Sequence, residues 1–300
     1  MEFDSSFLKE ETRCGFLVTE KRKKIWRAEL ELLQRFDEVC RKYNLRYFAE
    51  YGTLLGAVRH QGFVPWDDDI DIMMFRDDYM KLQEIGPAEF QEPYFFQNTY
   101  TDLMVWGFCK IRDDRTTGIE FTDMSPDFHQ GIFIDINAFD DAPDGKHFSQ
   151  NILQVEREVW QTVVNSERMR YYVSEGVPFQ VGSDILTDLL NLPVRERYRQ
   201  FETLALSHFG TSEKVNYLVS EICKRSGSRK REWYSDVISM PFEYMEIPVP
   251  AGYDEILKVQ YGDYHTFVQN GSAHEHTFFD PDTPYRFYME HPEKIQDDTI

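Results

Sequence analysis

Along residues 20–44, EKRKKIWRAELELLQRFDEVCRKYN, the apolar positions Ile25, Ala28, Leu32, Leu33, Phe36, Val39 and Cys40 recur at spacings of three and four with charges between them. That period predicts an amphipathic helix. LRYFAE (45–50) reads as a short strand, and GTLLGAVRHQG, with Leu54, Leu55, Ala57 and Val58 bracketed by Gly52 and Gly62, as a glycine turn and a short helix. Strands are expected at 69–75, 105–112, 116–121 and 132–138, with a helix over 77–85. Strands thus mix with helices instead of alternating strictly with them, which predicts α+β over a doubly wound sheet.

From about 147 to 224 the texture becomes helical, in FSQNILQVEREVWQTVV and ILTDLLNLPVRERYRQFETLALSHFG, broken by EGVPFQVGS and Pro193. SGSRKRE (226–232) reads as an exposed loop whose basic cluster is solvated. FEYMEIPVPAGYDEILKVQYGDY predicts a strand, a proline-punctuated turn and a short helix closed by Gly262. The expected division is a core at 20–146, a helical subdomain at 147–230 and a C-terminal segment at 231–300 that packs back on the core.

Composition adds exclusions. With 41% hydrophobic residues in 300, a sizeable core is affordable, and the formal charge of −20 disfavours nucleic acid and anionic membrane surfaces. No basic-then-apolar leader and no apolar run of about 18 residues occurs, so neither a signal peptide nor an integral membrane segment is expected, and the expected location is cytoplasmic. Cys14, Cys40, Cys109 and Cys223 are scattered without a C-x-x-C pair, which predicts reduced thiols and no thiolate zinc site.

The candidate chemistry lies in VPWDDDIDIM (64–73). In a strand, Asp69 and Asp71 share one face and Ile70, Ile72 and Met74 the other, which holds the two acids about 6.5 Å apart at the α-carbons. Two such carboxylates without histidine suit a hard cation, Mg²⁺ or Mn²⁺. GIFIDINAFD repeats the grammar: Asp135 stands as a lone carboxylate on an apolar strand, and it needs a partner, which a metal shared with Asp69 and Asp71 would supply. A glycine and a small hydroxyl residue at a helix start, Gly52 and Thr53, would let backbone N–H groups approach a phosphate. The plain alternative is a solvated acidic turn.

EYGTLLGAVRHQGFVPWDDDIDIMM resembles the hallmark of the LicD family, phosphotransferases with a nucleotidyltransferase-type fold that also resemble the fukutin proteins. The likeness extends to KIRDDRTTGIEF, HQGIFIDINAFD and, more loosely, IPVPAGYDEILKVQYGDY. It implies a mixed sheet flanked by helices and the transfer of a phospho-alcohol, typically phosphocholine from CDP-choline, to a sugar of a surface glycan or teichoic acid precursor. The implied partners are a CDP-alcohol donor and a glycan or glycolipid acceptor. By position, Gly52 and Thr53 match the glycine-and-hydroxyl element, Asp69 and Asp71 the acidic pair, and Asp135 the third acid. The zinc-binding insertion of the fukutin relatives has no counterpart here.

Lys110 and Arg59 are the candidate phosphate contacts, the plain alternative for each being a surface ion pair; Arg112 lies in the same motifs. Asp67 and Asp68 read as supporting or solvated. His60 and His129 are minor candidates for a general base or substrate contact, and His274-Glu275-His276 reads as a polar loop. Trp66, Tyr100 and Trp106 could cage a quaternary ammonium. A nucleotidyltransferase would use the same acids on a different fragment of the nucleotide, and a non-catalytic module of this fold stays open.

Overall fold

The structure is a computed structural model that describes residues 6–120, 128–164, 188–219, 227–269 and 277–295. A small hairpin, β1 (Glu11–Arg13) and β2 (Phe16–Val18), leads into helix α1 (Glu20–Tyr43). Thr19 caps α1 by accepting from the Arg22 N–H, and Asn44 ends it in the left-handed conformation. There follow β3 (Phe48–Ala49), α2 (Tyr51–His60), β4 (Asp71–Phe75), α3 (Arg76–Glu89), β5 (Tyr94–Gln97), α4 (Thr99–Asp102), β6 (Cys109–Asp113), β7 (Thr117–Ile119) and β8 (Phe133–Asp141). The remainder comprises α5 (Gln150–Val164), α6 (Val194–His208), β9 (Lys214–Tyr217), β10 (Arg229–Lys230), the hairpin β11 (Val237–Phe242) and β12 (Met245–Pro250), α7 (Tyr253–Tyr261), β13 (Phe278–Asp280) and α8 (Tyr285–Glu290).

Seven of these strands form one mixed sheet in the order β10-β9-β8-β4-β3, with β6 also on β8 and β5 on β6. Helices flank it, as the mixed pattern of periods predicted. β8 is its spine: all nine residues are buried, as a strand covered on both faces requires. Its parallel partner β4 sets Asp71 opposite Asp135. Its other edge is shared, antiparallel, by β6 along Phe133–Ile136 and by β9 along Phe139–Asp141.

The strand carrying the acids begins at Asp71, so Asp69 lies in the loop before β4 and not on the strand expected from residue 69. Ile70, Ile72 and Met74 are fully buried as the alternation requires, and Met73 is buried too, because β4 is interior. The expected strand at 116–121 is the short β7, which pairs with β13 away from the main sheet.

Helices α5 and α6 cluster around Trp160, Tyr198 and Phe201. The segment read as helical to 224 also contributes β9 to the sheet. SGSRKRE departs from an exposed loop: Arg229 and Lys230 form β10, and Arg229 is 1% exposed, its Nη2 3.1 Å from Glu50 Oε1. An arginine can be buried there because Glu50, itself fully buried, needs its charge. EGVPFQVGS, Cys223 and His274-Glu275-His276 lie outside the described residues. Cys14, Cys40 and Cys109 are free thiols. Among the described residues, no helix is long and apolar enough to cross a membrane.

Candidate active site

The acidic loop meets helix α2 and the loop after α7 around a cleft of about 560 Å³, within the usual range for a ligand site. Asp67, Asp69 and Asp71 face it together with Gly52, Arg59, Trp66, Gln260, Tyr261, Asp263 and Tyr264.

Local geometry explains Gly52. A β-carbon there would lie 1.9 Å from Asp67 Oδ2, so only glycine lets the carboxylate sit against the start of α2. Tyr51, just before it, has a left-handed φ of 49°, a conformation costing about 1 kcal/mol or more. Arg229 lies over its ring at 5.4 Å.

Thr53 ties two elements together. Its buried Oγ1 accepts from the Asp71 N–H at 2.8 Å, which ties α2 to the first residue of β4. Thr53→Val keeps the side-chain shape and leaves that N–H without its acceptor, a loss of about 1–3 kcal/mol. Thermal unfolding should show a Tm lower by several degrees, with a fall in turnover as Asp71 shifts. An unchanged Tm would show that the bond does not position the strand.

Electrostatically the cleft is overloaded with negative charge. Burial, then repulsion from Asp69 and Asp68, pushes the Asp67 carboxyl well above the ordinary range. Burial, then Asp69, Asp135, Asp67 and Glu50, does the same to Asp71. Single oxygens of Asp67, Asp68 and Asp69 all lie within 4.8 Å of one another. Carboxylates that repel each other while offering convergent oxygens fit a hard divalent cation, so the residues present suit Mg²⁺ or Mn²⁺. Asp67 thus lines the cleft beside Asp69 and Asp71. Its spacing of two from Asp69 was the available signal, but the backbone before β4 is not extended strand, so parity alone could not place it.

Asp135 is brought beside Asp71 by register, and its partner is a side chain: Lys110 Nζ lies 3.0 Å from Asp135 Oδ1 and 2.8 Å from Glu120 Oε1. Lys110 is 1% exposed and stands 3.4 Å over the Phe133 ring. This lysine supplies Asp135 with a positive partner that it shares with Glu120. Lys110 is absent from the cleft lining, and Arg112 is likewise turned to Gln97, Gly131 and Glu120.

Among the described residues, Arg59 is the one basic residue lining the cleft. Its Nη1 donates to the Tyr264 carbonyl at 2.7 Å, its Nε donates to His60 Nε2 at 2.9 Å, and its guanidinium lies 4.7 Å from the Phe267 ring. Burial, then Arg59 and Arg13, lowers the His60 pKa to about 4. With Nε2 also occupied, His60 is a weak base. His129 is buried between Phe95 and Tyr285 with Nε2 3.0 Å from Asp114, away from the cleft. Trp66 lines the cleft, whereas Tyr100 and Trp106 pack on the α5–α6 cluster, so the three do not form one cage. The aromatic neighbours of Trp66 in the cleft are Tyr261 and Tyr264, from a C-terminal stretch whose role only the fold discloses.

A family model described as LicD/FKTN/FKRP, nucleotidyltransferase domain, matches residues 44–159. The lipopolysaccharide cholinephosphotransferase LicD of Haemophilus influenzae is 27% identical over 248 residues, covering 78% of this chain and 88% of that protein. Ribitol 5-phosphate transferase FKRP is 40% identical in Mus musculus and 35% in Homo sapiens, each over 63 residues, 21% of this chain and 13% of the relative. The matched span contains α2, the acidic loop and β4, which contribute to the cleft lining, and β8, which pairs with β4. Residues 44–159 thus match the LicD/FKTN/FKRP nucleotidyltransferase domain, and most of the chain is similar to a LicD protein.

Proposed function

We propose that this chain transfers a phospho-alcohol, with phosphocholine from CDP-choline the leading candidate, to a sugar hydroxyl of a cell-surface glycan or teichoic acid precursor, and that the reaction depends on Mg²⁺ or Mn²⁺. The observation that carries the reading is the convergence of Asp67, Asp69 and Asp71 on a cleft whose lining, among the described residues, offers a single cation, Arg59. An anionic pyrophosphate could not enter such a site without added positive charge. The relatives named for cholinephosphate and ribitol 5-phosphate transfer share this class of chemistry and differ in the alcohol carried.

Asp67, Asp69 and Asp71 would hold the cation, with Asp135 beside Asp71 on the neighbouring strand. A divalent ion bound there supplies charge neutralisation and Lewis-acid polarisation of the phosphoryl oxygens. Arg59 is fixed by the Tyr264 carbonyl at the cleft wall, where its guanidinium can meet a phosphate oxygen. Gly52 keeps the start of α2 low enough for Asp67 to reach the cleft. Trp66, Tyr261 and Tyr264 offer ring faces to a quaternary ammonium or a sugar. In the reaction an acceptor hydroxyl oxygen forms a bond to the phosphorus bearing the alcohol, the pyrophosphate P–O bond breaks, CMP departs, and the hydroxyl proton is released.

Incubation with each CDP-alcohol, Mg²⁺ and candidate glycans should release CMP and yield an acceptor heavier by one phospho-alcohol, with activity lost in EDTA and restored by metal. Pyrophosphate release from a nucleoside triphosphate with a nucleotidylated product would instead establish nucleotidyl transfer.

A further inference from the structure

We propose that Glu29, on helix α1 and outside every motif of the cleft, is a positioning carboxylate of the cation centre, standing behind Asp67, Asp68 and Asp69; this rests on the metal-dependent reading above. Along one stripe of α1, Arg22 Nη1 and Trp26 Nε1 both donate to the Asp67 carbonyl, at 2.7 and 3.2 Å. Helical spacing of four and then three places Glu29 next on that stripe, one turn beyond Trp26.

Packing alone calls for an apolar residue at this position. Glu29 is 1% exposed, and its Oε2 has no hydrogen-bond partner. A buried carboxyl in that condition is destabilising unless some positive charge compensates it. Its electrostatic neighbours are Asp69, Asp68 and Asp67, opposed by Arg22, and together with burial they hold the group well above the ordinary carboxylate range. Asp68 is itself only 3% exposed. Among the described residues, these four carboxylates and one guanidinium carry more negative than positive charge, which a divalent cation at the aspartates would balance. Glu29 then adds field strength at the ion, behind the loop that Arg22 and Trp26 hold against α1, as an outer partner of the metal ligands.

The test is Mn²⁺ titration by calorimetry of the intact wild-type chain, Glu29→Gln and Asp71→Asn, beside thermal unfolding in EDTA. Glu29→Gln should weaken Mn²⁺ binding about tenfold or more, while the metal-free Tm stays level or rises because a repelling charge is gone. Wild-type affinity in a folded Glu29→Gln protein would overturn the role of Glu29 and leave the metal reading standing. Absence of saturable Mn²⁺ binding by the wild type would overturn both. Should Glu29→Gln not fold, Glu29→Asp keeps the charge but withdraws it by one methylene, and binding at least roughly threefold weaker is expected; wild-type affinity in that variant would likewise overturn the proposal.

Discussion

Asp71→Asn should reduce turnover by at least about a hundredfold, the upper figure for losing even an outer partner of a metal ligand, while leaving the protein folded. The substitution removes a charge and a cation-binding oxygen with almost no change in volume, on a strand whose Ile72, Met73 and Met74 remain locked in the core. Asp71 is held well above the ordinary carboxylate range, first by burial and then by Asp69, Asp135, Asp67 and Glu50. Its folded-state pKa therefore lies above the unfolded one. The associated stability is fully present below the unfolded carboxylate pKa, about 4, and is lost as pH rises through the elevated folded value. Metal-free wild type should thus lose Tm as the solution is made more basic across that window. Asp71→Asn should show a shallower slope and a higher Tm at its alkaline end, and added Mg²⁺ should stabilise it less than wild type. Near-normal turnover would remove Asp71 from the catalytic apparatus, and an unchanged pH slope would remove it from the titrating cluster.

Lys110→Met should be the most destabilising of the substitutions considered. The lysine is buried between Asp135, Glu120 and the Phe133 ring, and Asp135 is itself only 8% exposed. Breaking a buried pair by deleting one partner leaves an uncompensated charge, at a cost of about 3–5 kcal/mol. For a chain of this size that corresponds to a Tm lower by on the order of 5–10 °C, read by calorimetry. Donor affinity separates this structural role from phosphate contact. Losing a charged hydrogen bond to phosphate would weaken binding by about 1.5–3 kcal/mol, more than tenfold. Lys110 does not line the cleft, so inhibition by the product CMP should stay within about threefold of wild type, well short of that. A stable Lys110→Met protein with greatly weakened CMP binding would reverse the assignment.

How far each part was legible follows the range of the interaction that decides it. The 3–4 spacing of Ile25, Leu32, Phe36 and Val39 is a local property, and α1 runs from Glu20 to Tyr43, as that period predicts. The alternation in GIFIDINAFD likewise marks β8, and Gly262 closes α7 where the glycine stands. Asp67 was harder because the loop before β4 follows no period, so its direction depends on α2 and on the absence of a side chain at Gly52. Glu29 looks like any charge on an amphipathic helix until α1 is laid against the acidic loop. Arg229 sits in a basic run that reads as solvated, yet β10 carries it into the core beside Glu50.

By itself the sequence determined the strongly periodic elements such as α1 and β8, that Asp69, Asp71 and Asp135 stand among core-forming residues, and that the net charge is −20. Those are consequences of side-chain period and composition, carried within windows of a dozen residues or so. Tertiary structure alone decided that Asp71 faces Asp135 across a parallel pair, that Lys110 compensates Asp135, that Thr53 holds the Asp71 backbone, and that Arg59 is the cation turned to the cleft. Each of those outcomes depends on register and packing between segments up to tens of residues apart. A buried charge takes whichever opposite charge the fold brings within reach, a choice that no local pattern encodes.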